Sequence, residues 1–353
     1  MTKILADLET PCVVIDIDRV EANLKRGQAA ADALGVALRP HIKTHKIPRF
    51  ALRQVELGAV GITVQKLGEA ETMADAGLDD LFLPYNIIGT TKLDRLVALN
   101  DRLNLKVTAD SPDTVAGYAQ RLANSAKPLV VLVECDTGLG RCGVQTAAQA
   151  LALARHIALS PGLQFGGLMT YPAAGKVAES DHWLADAVAL LTEAGFDCPV
   201  VSGGNTPDMF RLNKSVVTEI RPGTYIYFDR GQVSLGAASF EDCALSVLTT
   251  VVSRPTANRI VIDAGSKSLT SDLFGLVGFG VVMDNTAVSV TSLSEEHGVI
   301  ELAEPSDAPR VGDRIRIIPN HACPVSNLHD QVHLISGNEW VETITVAARG
   351  RTD

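Results

Sequence analysis

The chain has no run of eighteen uninterrupted apolar residues, no apolar stretch within Met1 to Thr10, and no CxxC pair among its six cysteines. The first two absences argue against a membrane span and a secretory leader, so a cytoplasmic protein is expected. Cys12, Cys135, Cys142, Cys198, Cys243 and Cys323 stand singly, most in apolar surroundings, which excludes a disulfide framework; Cys142 reads as packing. No Lys/Arg cluster is interleaved with aromatics, and the formal net charge is -10. Nucleic acid and anionic membrane are thereby excluded as main partners, leaving a small molecule. There is also no low-complexity linker and no solenoid repeat.

What the chain does have is alternation. With 353 residues, 46% of them apolar, it can bury one large barrel or two ordinary domains. From Cys12 to about Asp229 short β-rich runs alternate with helical ones, the pattern of parallel strands joined by crossover helices. The runs begin at Cys12, Val36, Gly61, Asp80, Asn104, Leu129, Gln164, Val200 and Thr218. Eight or nine such units suit a closed (β/α)8 TIM-type barrel better than an open sheet. After Asp229 the β-rich runs are separated by turn residues with no helix between them, which reads as an antiparallel β-domain. The expected division is a barrel over 1–235 and a C-terminal β-domain over 236–353.

In such a barrel the reactive groups follow the strands at their carboxyl ends. They are Lys43, Gln65, Asn86, Asp110, Asp136, Arg141, Tyr171 and the run Ser202-Gly203-Gly204-Asn205-Thr206. Lys43 sits in Arg39-Pro40-His41-Ile42-Lys43-Thr44-His45-Lys46, which concentrates nucleophilic and proton-transfer groups after an apolar strand; a solvated basic loop has the same composition. The Gly203-Gly204 turn lets backbone N–H groups approach an anion where a barrel commonly binds phosphate. Arg141 is a fixed cation in a glycine-dense loop, read as a ligand contact. His321 and Cys323 in Pro319-Asn320-His321-Ala322-Cys323-Pro324 are read as an extended segment with both side chains on one side, either a metal-ligand pair or a buried polar pair. His156 reads as a core or interface histidine, and His182 and His333 carry no pattern.

Together, the octamer around Lys43, Gly140-Arg141-Cys142-Gly143, Ser202 to Thr206, Arg221-Pro222-Gly223-x-Tyr225, Asp263-Ala264-Gly265-x-Lys267, Glu296-His297-Gly298 and His321-x-Cys323 resemble the D-threonine aldolase and D-serine dehydratase family. That resemblance implies an alanine-racemase-like barrel, pyridoxal 5'-phosphate and a divalent cation, with zinc or manganese favoured by the donors. It further implies that Lys43 carries the cofactor. Gln65, Arg141, Tyr171, Ser202, Gly203, Gly204, Asn205, Thr206 and Tyr225 would surround the cofactor. His321 and Cys323 would hold the metal in the β-domain. His41 and His45 are candidates to accept a hydroxyl proton. The expected reaction is retro-aldol cleavage of a D-β-hydroxy-α-amino acid to glycine and an aldehyde. The alternative is dehydration of D-serine or D-3-hydroxyaspartate to a 2-oxo acid and ammonia, since His-x-Cys resembles the dehydratases whereas Asn327-Leu328-His329-Asp330 resembles the aldolases. A racemase or a non-catalytic cofactor carrier is less favoured, and a head-to-tail homodimer is expected.

Overall fold

The computed structural model describes residues 5–353. The chain divides into two compact units, one of Gly27–Lys43, Pro48–Gly223 and Arg351–Asp353, the other of the residues up to Arg26, Thr44–Ile47 and Thr224–Gly350.

The first strand, β1 (Cys12–Asp16), does not belong to the barrel. It pairs antiparallel with a strand beginning at Leu245 and parallel with one ending at Ser336. Its apolar run followed by a helix reads as a barrel unit because periodicity reports burial, not which sheet does the burying. The barrel starts one strand later. Its members are β2 (Ala37–Leu38), β3 (Ile62–Thr63), β4 (Asp80–Leu83), β5 (Asn104–Ala109), β6 (Leu129–Cys135), β7 (Leu163–Thr170), β8 (Val200–Gly203) and β9 (Glu219–Ile220).

They pair in parallel in the order β2-β9-β8-β7-β6-β5-β4-β3. The ends of that order meet at a bridge between His41 and Thr63, where Thr63 N donates to Pro40 O at 2.7 Å and Val60 N to Leu38 O at 2.9 Å. The strands are near-continuously apolar because both faces are covered; Phe82, Leu132 and Met169 form one buried cluster. The crossover helices begin where the sequence supplies caps. Thr146 and Gln149 form a capping box before Ala147–Leu159, and Ser111 caps Pro112–Leu122, which has proline in its first turn. Such caps each contribute about 1 kcal/mol.

The second unit is built on β10 (Leu245–Ser253), β11 (Arg259–Ile262), β12 (Gly280–Val282), β13 (Asn285–Leu293), β14 (Gly298–Glu301), β15 (Arg314–Pro319), β16 (Gln331–Ser336) and β17 (Glu339–Thr345), together with β1. Because β10 pairs with both β11 and β15, six strands close into an antiparallel ring, β10-β11-β14-β13-β12-β15, to which β1, β16 and β17 are added. Cys12 and Val14 pack on Leu248 and Ile335 where β1 is inserted. Three short helices, Arg230–Ser234, Ser266–Leu269 and Ala322–Leu328, interrupt a region that reads as strands and turns only. Among the described residues no helix is long and apolar enough to cross a membrane.

Candidate active site

In the barrel unit, the octamer after β2 separates into groups that hold the fold and one that does not. Arg39 is buried between Glu219, at 2.9 Å, and Asp80, at 2.5 Å, so its charge serves the barrel wall. His41 Nδ1 accepts the backbone N–H of Lys43 at 3.3 Å, and its Nε2 donates to Gln65 Oε1 at 2.9 Å. These bonds assign the neutral Nε2–H form. Lys43 lies in the 3-10 turn Ile42–Thr44, with Nζ 5.8 Å from the centre of the Tyr171 ring. The Arg141 guanidinium lies 5.4 Å from the same ring, so three sequence candidates come together at Tyr171.

The Ser202–Thr206 run leaves β8 as a loop pinned by its own side chains. Ser202 Oγ donates to Glu219 at 2.6 Å and accepts from Arg221; Asn205 Nδ2 donates to Pro172 O at 3.2 Å; Thr206 Oγ1 accepts from Gly223 N at 3.1 Å. Gly204 has φ +73, and a Cβ there would stand 2.9 Å from the Ile220 side chain, so only glycine fits the turn. Ser202 and Asn205 are held by these bonds, whereas Thr206 only accepts in its bond, so the loop can offer an anion its backbone N–H groups and the Thr206 hydroxyl.

Two further buried groups stand in the barrel, Arg221 directly after β9 and Glu134 within β6, and the second escapes a reading of strand-following residues. Arg221 also donates to Thr170 O at 2.7 Å, and burial pulls it down to about 10. Glu134, in the last turn of the β6 alternation, is pushed up by burial, against the nearby charges of Arg141 and Arg221. Period-two alternation along β6 marks Glu134 as facing the opposite way from Val133. Cys142, read as packing, is instead exposed, and so is His156, which removes the core half of its core-or-interface reading. The apolar face of His156's helix is carried by Leu153, Ala154 and Ile157, and the ring falls beside it.

The β-rich unit holds the remaining candidates. His45 is fully buried, and its Nδ1 accepts the backbone N–H of Ile47 at 3.0 Å, repeating the pattern at His41. Lys46 Nζ donates to Ala348 O at 3.4 Å, and Tyr225 is buried in the turn Thr224–Ile226. His321 and Cys323 do not lie on a strand. His321 is the extended N-cap of Ala322–Leu328, and Cys323 is in that helix's first turn, where Pro324 is tolerated because its missing N–H has no intrahelical partner to lose. The two side chains still meet in a hydrogen bond.

Cys323 Sγ also lies 3.2 Å from Thr44 Oγ1 and 3.7 Å from Thr224 Oγ1. Asp229, fully buried, caps Arg230–Ser234 through Gln232 N and accepts Ala322 N at 2.8 Å, clamping the residue between His321 and Cys323. Burial pushes the Asp229 carboxyl up to about 6, against the two N–H groups that favour its charge. For His321, burial disfavours the cation, yet the Cys323 and Asp272 interactions outweigh it and hold the ring at about 9. No pattern in the sequence marks Asp229 or Asp272, whose loops bring them to the segment from far along the chain. His329 donates Nε2 to Ser268 O at 3.1 Å, and burial lowers it.

A barrel with a strand-end lysine, followed by a strand-rich unit with an imidazole–thiol pair, defines an alanine-racemase-like enzyme. Residues 15–231 match the alanine racemase N-terminal domain, and residues 244–335 match a putative serine dehydratase domain. A D-threonine aldolase of Arthrobacter sp is 35% identical over 98% of this chain and 94% of its own. The crystal structure of D-threonine aldolase from Filomicrobium marinum superposes with a TM-score of 0.91 at 32% identity, covering 100% of this chain and 99% of that one. D-threo-3-hydroxyaspartate dehydratase from Delftia sp. HT23 gives 0.90 at 30% identity, over 97% and 98%; a cysteine-to-alanine variant of such a dehydratase has been solved in a metal-free form. The chain belongs to the family of D-threonine aldolases and D-serine dehydratases.

The residues present fit the groups that this family implies. The Gly204 turn is the kind of backbone cradle a phosphate takes, and an imidazole with a thiolate is a donor pair for a borderline cation such as zinc. Among the described residues no group of three or more His, Cys, Asp or Glu that could hold a cation is found, so the pair offers two protein donors.

Proposed function

We propose that this chain is a pyridoxal-phosphate- and divalent-cation-dependent lyase that cleaves a D-β-hydroxy-α-amino acid to glycine and an aldehyde. The observation that carries the reading is the contact, within one unit, of Thr44 Oγ1 with Cys323 Sγ at 3.2 Å: the residue that follows Lys43 in the chain is tied to the cation pair. A racemase or a carrier has no use for that tie.

When bound, the cofactor supplies an electron sink and the cation lowers the pKa of the substrate hydroxyl. The chain's own work is holding and positioning. Lys43 would hold the cofactor and, where a substrate amine takes its place, would supply an amine able to carry a proton. His41 fixes the Lys43 backbone and Gln65 fixes His41. Loop 203–206 would meet the phosphate with backbone N–H groups, Tyr225 would help to hold it, and Arg141 and Tyr171 would contact the rest of the cofactor. His321 and Cys323 hold the cation, zinc or manganese, so that the β-hydroxyl can reach it. In their neutral forms His41 and His45 carry their proton on Nε2 and use Nδ1 for a backbone N–H, so accepting a hydroxyl proton requires either ring to give up a bond first.

Cys323 favours the dehydratase as the second reading, because it departs from the donor expected of the aldolase branch. Incubation of the metal-loaded protein with α-deuterated D-threonine and D-3-hydroxyaspartate separates them. Retro-aldol cleavage releases glycine and aldehyde without breaking the original Cα–H bond. A large primary isotope effect with ammonia and a 2-oxo acid as main products would assign the dehydratase instead. The protein is further taken to be a cytoplasmic head-to-tail homodimer, because a barrel mouth left open to water would lose reactive species. Sedimentation at assay concentration should give a dimer, and a fully active monomer would refute this.

A further inference from the structure

We propose that Asp272 is the positioning residue that makes His321 a cation ligand through Nε2, an inference that rests on the cation site proposed above. The Asp272 carboxylate accepts His321 Nδ1–H on Oδ2 at 2.6 Å and Phe274 N–H on Oδ1 at 3.0 Å. Both oxygens are thus used, one to hold the ring and one to hold the loop that carries it. With Nδ1 donating, the lone pair of the neutral ring is on Nε2, the nitrogen on the far side from Asp272.

The loop around Asp272 is built at a conformational cost. Thr270 and Phe274 have φ of 62 and 51, left-handed values that a β-branched and an aromatic residue rarely adopt. The strained backbone sets the Phe274 ring against the imidazole, with centroids 4.8 Å apart at 52°. Gly231 is shaped to the same purpose, since a Cβ there would stand 2.4 Å from the Phe274 ring. Asn320, directly before His321, closes the arrangement by donating Nδ2 to Leu273 O at 3.1 Å and Gly278 O at 2.7 Å. The imidazole is therefore gripped at its edge by Asp272 and on its face by Phe274. A loop needed only to connect Leu269 to β12 requires neither contact.

The test measures cobalt(II) binding to the cofactor-loaded protein through the thiolate-to-cobalt absorption band, in wild type and in His321→Ala, Asp272→Ala and Asp272→Asn. Wild type should bind with the band present, and His321→Ala should lose it. Asp272→Ala should weaken cobalt affinity by roughly 10- to 100-fold, the usual scale for removing such a partner, while the cofactor's visible absorbance stays unchanged. Asp272→Asn keeps the shape and one of the two acceptor positions, its single amide oxygen able to take the His321 Nδ1–H, and should recover part of the loss, which also covers poor folding of the alanine variant. Wild-type affinity in both Asp272 variants, with His321→Ala still defective, would overturn the positioning role and leave the cation site standing. Cobalt binding unaffected by His321→Ala would overturn both.

Discussion

Three histidines in this chain make opposite uses of the same atom. In the turn after β2, His41 and His45 each turn Nδ1 toward the backbone N–H two residues ahead, so Nδ1 is an acceptor and the ring is a clamp. At the start of the helix Ala322–Leu328, His321 turns Nδ1 toward a carboxylate, so Nδ1 is a donor and Nε2 is left as the basic nitrogen. The partner, a backbone amide in one place and Asp272 in the other, decides which histidine can bind a cation. Residue type alone does not.

The largest expected effects separate the two regions outright. Lys43→Ala should lose both turnover and the visible absorbance of the bound cofactor. Cys323→Ala, or chelation of wild type, should abolish turnover while leaving that absorbance in place. Spectra and product assays on the same preparations check this, and a Lys43→Ala protein with an unchanged spectrum would move the cofactor to another lysine.

Next in size is Arg39→Met. It leaves Glu219 buried without its cation, and breaking a buried pair in this way costs about 3–5 kcal/mol. Since Glu219 also accepts from Ser202, urea unfolding should show the loss together with weaker retention of cofactor on dilution. Stability within about 1 kcal/mol of wild type would mean that Arg39 is not the keystone its contacts describe.

A smaller effect is expected of His41→Asn, whose amide oxygen can replace Nδ1 as acceptor of the Lys43 N–H. It should cost about 1 kcal/mol and less than tenfold in kcat/KM. His321→Asn, lacking an atom at Nε2, should lose the cation. Equal losses in the two variants would erase the distinction between clamp and ligand.

The smallest is Glu134→Gln. Burial holds the folded-state value of Glu134 above its unfolded one, so protonation favours the folded state. Its contribution is present below the unfolded value and is lost as pH rises through the folded one. The glutamine variant should therefore match wild type near pH 4 and gain a small stability advantage by pH 7 in urea titrations. A constant difference across that range would show that Glu134 is not titrating as described.

Much of the barrel is legible because its physics is local. Strands buried on both faces are apolar runs, and caps such as Thr146 and Ser111 announce the helices between them. Lys43, Arg141 and Tyr171 could be nominated from their place after strands, and the two cations lie 5.8 and 5.4 Å from the Tyr171 ring centre. What escapes is whatever depends on a distant partner. Cys12–Asp16 has the composition of a barrel strand but finds its partners in β10 and β16. The His-x-Cys segment reads as extended because its helix is one short turn-rich stretch opened by His321 and containing Pro324. Asp229 and Asp272 are ordinary loop aspartates until the fold sets them against residues 321 and 322. The roles of the three histidines are hidden for the same reason.

The placement of β1 bears on how the protein is made. The strand is synthesised ahead of the whole barrel, yet it pairs Cys12 with Leu248 and Val14 with His333, more than two hundred residues later in each case. Throughout synthesis of the barrel, an apolar strand with unsatisfied backbone groups waits for partners that do not yet exist. A nascent chain stalled before Leu245 should accordingly hold a completed barrel and an unpaired leading strand, the stretch most in need of a chaperone's cover.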